Sequence, residues 1–299
     1  MSINGKKYMF IINPIAGAGY KNNLKEIIEQ KALQLKHSVE IVFTTHAGHA
    51  FEIAKQADEN TFQTIVAVGG DGTINEVGRG LIHKSISLAI VPMGSGNGLA
   101  RYSKIPLNAV KAIETAFTGN IKKMDVIKIN HQHSFNVSGV GFDAAVAHQF
   151  QHLHKRGFWG YFKLVIKQTF SFSPLEVSIN LNENGIIKNV KDKVFILAIA
   201  NSNQFGNNAI IAPNADTADG KFNLVLVKPF SLLKMPYYAF MMFTNKFHKI
   251  KAVINIEASQ CNIIAATQQW HVDGEPVIFE QMVEIKILPL AIQLIVPKL

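Results

Sequence analysis

Through the first 125 residues, short apolar runs alternate with stretches of helical periodicity, and this alternation limits the possible folds more than any other feature of the chain. KYMFIINP is an apolar run closed by Asn-Pro. A Gly-rich turn follows, and then a stretch with Leu24, Ile27 and Ile28 on one helical face. SVEIVFTT, TIVAVGG and ISLAIVP repeat the strand pattern, while HAFEIAKQAD and TINEVGRGLI repeat the helical one. Alternation of this kind predicts a parallel sheet covered on both sides, with ligands bound beyond the carboxyl ends of its strands. After Asp125 the texture changes. VIKIN, HSFNVSG, LEVSIN, VFILAIAN, FNLVLV, AVINIEA, EIKILPL and IQLIVP are strand-like and are separated by turns such as LNENG and PNADTADG. These runs predict a mostly antiparallel second domain. One helical interruption, AAVAHQFQHLHKRGFWGYFKLVIKQTF, carries basic and aromatic residues.

With 299 residues the chain can bury one large core or two ordinary ones, and 48% apolar with 17% charged residues is a globular composition. The single cysteine, Cys261, excludes an internal disulfide and fits a reducing compartment, so a cytoplasmic location is expected. The opening MSINGKKYMFIINP has too short an apolar run for a signal peptide. No window reaches the roughly 18 apolar residues of a spanning helix, so no transmembrane segment is expected. The nearest, PFSLLKMPYYAFMMF, is broken by Lys234 and Pro236. A net charge of +9 points to an anionic partner: nucleic acid, an acidic membrane or a phosphorylated ligand. The basic residues are scattered and no reading motif accompanies them, which argues against nucleic acid.

TIVAVGGDGTINEV combines a buried-type strand, a Gly-Gly-Asp-Gly turn and Thr73 three residues before Glu76, the spacing of a capping box at a helix start. Such a turn is either a plain strand–helix connection or a cradle whose free N–H groups receive phosphate oxygens. AIVPMGSGNGLAR at 89–101 and INPIAGAG at 12–19 are two further small-residue loops, each following a strand. Three such loops along one sheet edge argue for a site. No Gly-x-x-x-x-Gly-Lys-Ser/Thr is present, and the second strand ends in Thr44-Thr45 instead of a ribose-binding acid, so a P-loop and the usual dinucleotide pose are both excluded.

GGDGTINEV, PMGSGNGLAR, TTHAGHA, GFDA, the Pro-x-Ala-x-x-x-Asp-Gly segment and VDGEPV together resemble the diacylglycerol kinase catalytic family, which includes bacterial lipid kinases and sphingosine and ceramide kinases. The resemblance runs from Tyr8 to the end of the chain. It implies two domains: an α/β nucleotide domain over 1–125 with a returning strand at about 288–299, and a β-sandwich lipid domain over 126–287. It also implies an ATP- and Mg²⁺-dependent kinase acting on a lipid hydroxyl at the inner face of a membrane, peripherally attached, with a homodimer left open.

Carried over residue by residue, the resemblance assigns the nucleotide to Asn13, Thr44, Gly69, Gly70, Asp71, Gly72, Thr73, Ile74, Asn75 and Ser95, with Glu275 near nucleotide or metal. Asp273 becomes the general base and Asp71 a second active-site carboxylate. Asp125 joins a metal–water network, and Asp216, Asp219 and Lys221 surround a structural cation. Read without the family, Asp273-Gly274 is a hairpin turn, Asp219-Gly220 an Asx-type turn and Asp125 a solvated acid. Gly98 stands where many bacterial members have an aspartate, which leaves the substrate open. Two alternatives remain: an NAD-kinase-like enzyme with a soluble substrate, and a nucleotide- or lipid-binding regulator without turnover. The Lys- and aromatic-rich segments at 152–167 and 228–251 are either membrane-facing or core helices. His131, His133, His148, His152 and His154 match no zinc spacing.

Overall fold

The computed structural model describes residues 7–17, 23–150, 164–165, 167–169, 171–183 and 186–298. His152, His154 and most of the basic aromatic segment at 152–167 lie outside the described residues. By internal contacts the chain divides into two compact units, Met1–Met124 with Leu290–Leu299 and Asp125–Pro289.

The first unit is the α/β part. Strands β1 (Lys7–Ile12), β2 (Val39–Phe43), β3 (Phe62–Gly69) and β4 (Ser87–Pro92) form a parallel sheet in the order β2-β1-β3-β4. Buried side chains run almost unbroken along β1, β3 and β4, as both-sided burial requires, whereas β2 at the edge is half exposed. Helices α1 (Leu24–Gln34), α2 (His49–Gln56), α3 (Asp71–Leu81), α4 (Gly98–Tyr102) and α5 (Ala109–Thr118) connect and cover the strands. Helix α1 buries Leu24, Ile28 and Ala32, one face at helical spacing. Helix α5 goes beyond the sequence reading. Asn108 caps it by accepting the Lys111 N–H, and Ala112, Ile113, Ala116 and Phe117 are buried along it. Late in the chain, Gln293 and Leu294 pair in parallel with Ser87 and Leu88 of β4.

The second unit is a sandwich of antiparallel sheets. One sheet has the order β12-β11-β10-β7-β14-β15, built from β7 (Val137–Gly141), β10 (Ile196–Ala200), β11 (Phe222–Val227), β12 (Val253–Ala258), β14 (Gln269–Val272) and β15 (Glu275–Ile278). Strands β8 (Leu175–Glu183), β9 (Ile186–Val194), β13 (Gln260–Ala265) and the start of β16 (Met282–Val296) pair antiparallel in another. Strand β10 shows how the layers form. Leu197 and Ile199 join Trp270, Leu224, Ile179 and Ile263 in one core, while Ile196, Ala198 and Ala200 join the core containing α6 (Phe142–Phe150) and α7 (Met235–Phe243) on the other face. Strand β5 (Asn120–Ile129) pairs with β6 (Gln132–Ser134). Burial pushes the Cys261 thiol up to about 12, so this cysteine is a protonated packing residue and no nucleophile. The expected fold class, an α/β domain followed by a β-sandwich, is the observed one.

Candidate active site

In the first unit the carboxyl ends of β1, β3 and β4 bring the three small-residue loops into contact. Asn13, just after β1, donates its Nδ2–H to Thr73 Oγ1 at 3.2 Å and receives the Ile15 N–H on Oδ1 at 3.1 Å. The Met93 N–H after β4 donates to the Gly69 carbonyl at 2.8 Å. A Cβ added to Gly94 would lie 2.8 Å from Gly70 Cα, so these two loops touch backbone to backbone and Gly94 has no room for a side chain. Asn97, in the left-handed region at φ 52°, closes the second loop on itself: its Oδ1 accepts the Gly94 N–H at 3.0 Å and its Nδ2–H donates to the Gly94 carbonyl at 2.7 Å.

Asp71 joins the two glycine loops. Its Oδ2 accepts the Asn97 N–H at 2.9 Å and its Oδ1 accepts the Gly98 N–H at 3.0 Å, so each carboxylate oxygen holds one amide at the start of α4. Gly70 occupies the N-cap of α3 and has no side chain with which to satisfy the first N–H groups of that helix. Those amides, together with the α3 dipole, favour an anion.

The capping-box reading of Thr73 and Glu76 is corrected. Helix α3 already begins at Asp71, so Thr73 lies within it, buried against Asn13. Glu76 caps a different helix. Its two oxygens accept the Gly48 N–H at 2.9 Å and the Ala50 N–H at 3.2 Å at the start of α2, where Gly48 is left-handed at φ 86°. Sequence spacing suggested a local partner, whereas the true partners lie 26 and 28 residues away. Glu76→Ala is therefore expected to lower unfolding free energy by about 1 kcal/mol, the usual size of a lost helix cap, read from the shift of a urea denaturation midpoint.

Of the remaining expected nucleotide residues, Thr44 follows β2 on the same strand-end edge, its N–H bonded to the Ile12 carbonyl. Ser95 is exposed at the tip of the second loop. Ile74 turns inward at 2% exposure and its N–H donates to the Gly70 carbonyl, so it anchors the loop from below.

In the second unit Asp273 occupies a two-residue hairpin turn between β14 and β15, with φ 51° at Asp273 and 88° at Gly274. Both residues are left-handed, as a type I′ turn demands, so the plain turn reading is correct as geometry. The carboxylate does more than the turn requires. Oδ1 accepts Ser134 Oγ–H at 2.6 Å and the Asn136 N–H at 3.0 Å, and Oδ2 accepts the Phe135 N–H at 2.9 Å. The Asp273 N–H in turn donates to Ser138 Oγ at 3.2 Å.

The same 134–138 segment leads to Asp125. The Asn136 carbonyl accepts the N–H groups of Asn201 and Ser202, and the Ser202 hydroxyl bonds Asn136 Oδ1. Asn201 Nδ2–H donates to the carbonyls of Asp125 and Phe135. Asp125 is fully buried, and its Oδ2 accepts the Gly220 N–H at 2.8 Å while its own N–H donates to the Thr217 carbonyl. One hydrogen-bonded network therefore runs from Asp273 through Asn136 and Asn201 to Asp125 and the 216–221 loop. In that loop Asp216 accepts the Ala218 N–H, Asp219 accepts the Lys221 N–H, and Lys221 pairs with Glu257 at 3.0 Å. Glu275 is exposed at the start of β15.

Two histidines hold the Asp273 hairpin to α6. His271, 2% exposed, accepts the Gly274 N–H on Nδ1 at 3.2 Å, which leaves Nε2–H to donate to Asp143 Oδ2 at 3.0 Å. His148 Nε2–H donates to the carbonyls of Trp270 at 2.9 Å and Val277 at 3.2 Å, one on each strand of the hairpin. The sequence carries Asp143 in GFDA and His271 two residues before Asp273, but 128 residues separate them and no local signal joins the pair. Losing the imidazole takes the His271 donor from Oδ2 of an almost buried carboxylate, whose Oδ1 keeps the Ala144 N–H. His271→Ala is expected to destabilise the protein by about 1–3 kcal/mol, seen as a lower urea midpoint at unchanged slope.

Among the described residues no three His, Cys, Asp or Glu side chains are grouped as a metal centre. Mg²⁺ binds through one or two carboxylates, several waters and substrate phosphates and needs no protein cage, so a lone carboxylate such as Asp71 in the first unit or Glu275 in the second is a donor of the kind it takes.

Residues 7–129 match the family model described as the diacylglycerol kinase catalytic domain, and residues 136–296 match that of the YegS C-terminal NAD kinase beta sandwich-like domain. A diacylglycerol kinase of Bacillus subtilis (strain 168) is 28% identical over 277 residues, 90% of each chain. That of Staphylococcus carnosus (strain TM300) is 26% identical over 275 residues, 90% of this chain and 89% of the other. A crystal structure of a putative diacylglycerol kinase from Bacillus anthracis str. Sterne superposes with a TM-score of 0.80 over 97% of both chains at 21% identity, a likeness of fold. Fold, loops and matches together define a kinase. The chain belongs to the diacylglycerol kinase catalytic family.

Proposed function

We propose that this chain transfers the γ-phosphate of ATP to the hydroxyl of a diacylglycerol- or sphingoid-like lipid, with residues 1–125 and 288–299 serving the nucleotide and 126–287 the lipid. The observation that carries this reading is the Asp71 carboxylate, which fixes the second glycine loop against the first. Loops locked this way offer backbone amides to phosphate oxygens with no reorganisation at the moment of transfer. Asn13, Thr44, Gly69, Gly70, Gly72, Thr73, Asn75 and Ser95 would line the triphosphate side, with Ile74 as the buried anchor.

Asp273 holds the acceptor. Its carboxylate would receive the lipid hydroxyl, orient it for in-line attack and take its proton late in the transfer. Ser134, Phe135 and Asn136 keep the carboxylate from turning away. Mg²⁺ would spread the charge of the transferring group, and Asp71, through water, and Glu275 are the carboxylates that would serve it. Asp125 acts on that metal–water network indirectly, by fixing the Gly220 loop. The Asp219 carboxylate and the carbonyls of Asp216 and Lys221 would supply oxygen donors to a second, structural cation. A lipid acceptor implies peripheral attachment to the inner face of a membrane. Among the described residues no helix is long and apolar enough to cross one.

The test is mass spectrometry of a lipid extract after incubation with Mg-ATP. Wild type should give a phosphorylated lipid that Asp273→Asn does not, and NAD in lipid-free buffer should stay unphosphorylated. Turnover of NAD in place of lipid would overturn the assignment.

A further inference from the structure

Residues 228–251 contain five lysines and no aspartate or glutamate. At their centre α7 is MPYYAFMMF, nine residues without a charge. A helix that is apolar all round normally lies in a core or a membrane. Among the described residues only one side of α7 is packed: Tyr238 and Met241 are buried, and Tyr238 stacks on Phe230 at 3.9 Å between ring centroids and meets Phe247 edge-on.

The other side carries Leu233, just before the helix, at 92% exposure, Tyr237 at 50%, Phe240 at 60% and Phe243 at 58%. Their spacing of four, three and three residues places them on one stripe about a third of the helix circumference wide. Lys234 follows Leu233 at the start of this stripe, and Lys246, Lys249 and Lys251 come after its end, all exposed.

We propose that this outward face of α7 docks on an anionic phospholipid bilayer. The chemistry favours that occupant over another. Large apolar and aromatic side chains enter the headgroup and upper acyl region, where the Tyr237 hydroxyl can remain hydrated. The lysines meet lipid phosphates, each adding roughly fivefold to the partition at an anionic surface. A stretch without any acidic residue has nothing to repel such a surface. The docking rests on the lipid-kinase reading for its purpose, which is to hold the enzyme where its acceptor is, but the binding itself needs no turnover.

The experiment is co-sedimentation of the full chain, without ATP, with vesicles of phosphatidylcholine containing phosphatidylglycerol. Wild type should bind, and binding should weaken with salt and on pure phosphatidylcholine. Phe240→Glu with Phe243→Glu should lower the partition by at least about tenfold, and Lys246→Glu with Lys249→Glu should remove most of the salt dependence. These side chains are exposed, so far-ultraviolet circular dichroism and phosphorylation of a short-chain acceptor dispersed in detergent should match wild type. Vesicle binding by the Phe240→Glu, Phe243→Glu variant equal to wild type would overturn the proposal. So would a solution dimer that this variant abolishes, in a protein that does not bind vesicles. Vesicle binding lost in the variant but present in a wild type that phosphorylates no lipid would uphold the docking and sink the kinase reading alone.

Discussion

Asp71→Asn is expected to reduce lipid phosphorylation by roughly two to three orders of magnitude while the protein stays folded. The substitution keeps the shape of the side chain and changes only its hydrogen-bonding character. In wild type both oxygens accept backbone N–H groups, from Asn97 and Gly98. An asparagine offers one acceptor and one donor, so its NH₂ must confront one of those two amides, donor against donor. About 1–3 kcal/mol is lost at that contact, enough to release the start of α4 from its place. The second glycine loop has little freedom to relax elsewhere, because Gly94 already abuts Gly70 and Met93 is bonded to Gly69. A shift there carries into both loops at once. On the proposed function the amides act by pre-arranged geometry, so a displacement of about an ångström is worth about a hundredfold in rate. The check is kcat and KM for ATP beside a thermal melt. A variant that melts near wild type with full turnover would show that Asp71 only packs the loops.

The parts of this architecture that are legible in sequence follow from short-range physics. Strands β1, β3 and β4 are buried on both faces, so they read as unbroken apolar runs, and the second glycine loop stands out because Gly94 has no room for a Cβ against Gly70. Strand β9 resists such a reading. It lies at the end of its sheet and carries Lys188, Lys191 and Lys193, the charges that protect an edge from further pairing, and nothing in its own pattern marks it as a strand. Strand β16 reads as two pieces, EIKILPL and IQLIVP, because Pro289 interrupts a run that the structure continues from Met282 to Val296. At the site, residue types are legible and partners are not. Asp71 reads as a helix cap or a metal ligand, yet it holds amides 26 and 27 residues on. His271 and Asp143 show nothing singly; the fold makes them a pair.

Asp273→Asn separates chemistry from turn geometry more cleanly than any other substitution here. At a type I′ position with φ 51°, asparagine is among the best residues, so the β14–β15 hairpin keeps its backbone. The Oδ1 that accepts Ser134 Oγ–H and the Asn136 N–H can survive as the amide oxygen, and the serine hydroxyl can rotate to suit. What changes is the other atom. An NH₂ now faces the Phe135 N–H and can no longer take a proton from an acceptor hydroxyl. The stability loss should therefore stay within about 1–3 kcal/mol, while kcat falls by about two to four orders of magnitude with little change in KM for ATP. Asp273→Ala makes the complementary measurement. It strips all three donors of their acceptor and suits the left-handed turn poorly, so it should lose more stability than Asp273→Asn at a similar loss of rate. If Asp273→Asn instead keeps wild-type kcat, and only Asp273→Ala is impaired in proportion to its unfolding, the carboxylate is a clasp for the 134–138 segment and the acceptor's proton leaves by another route.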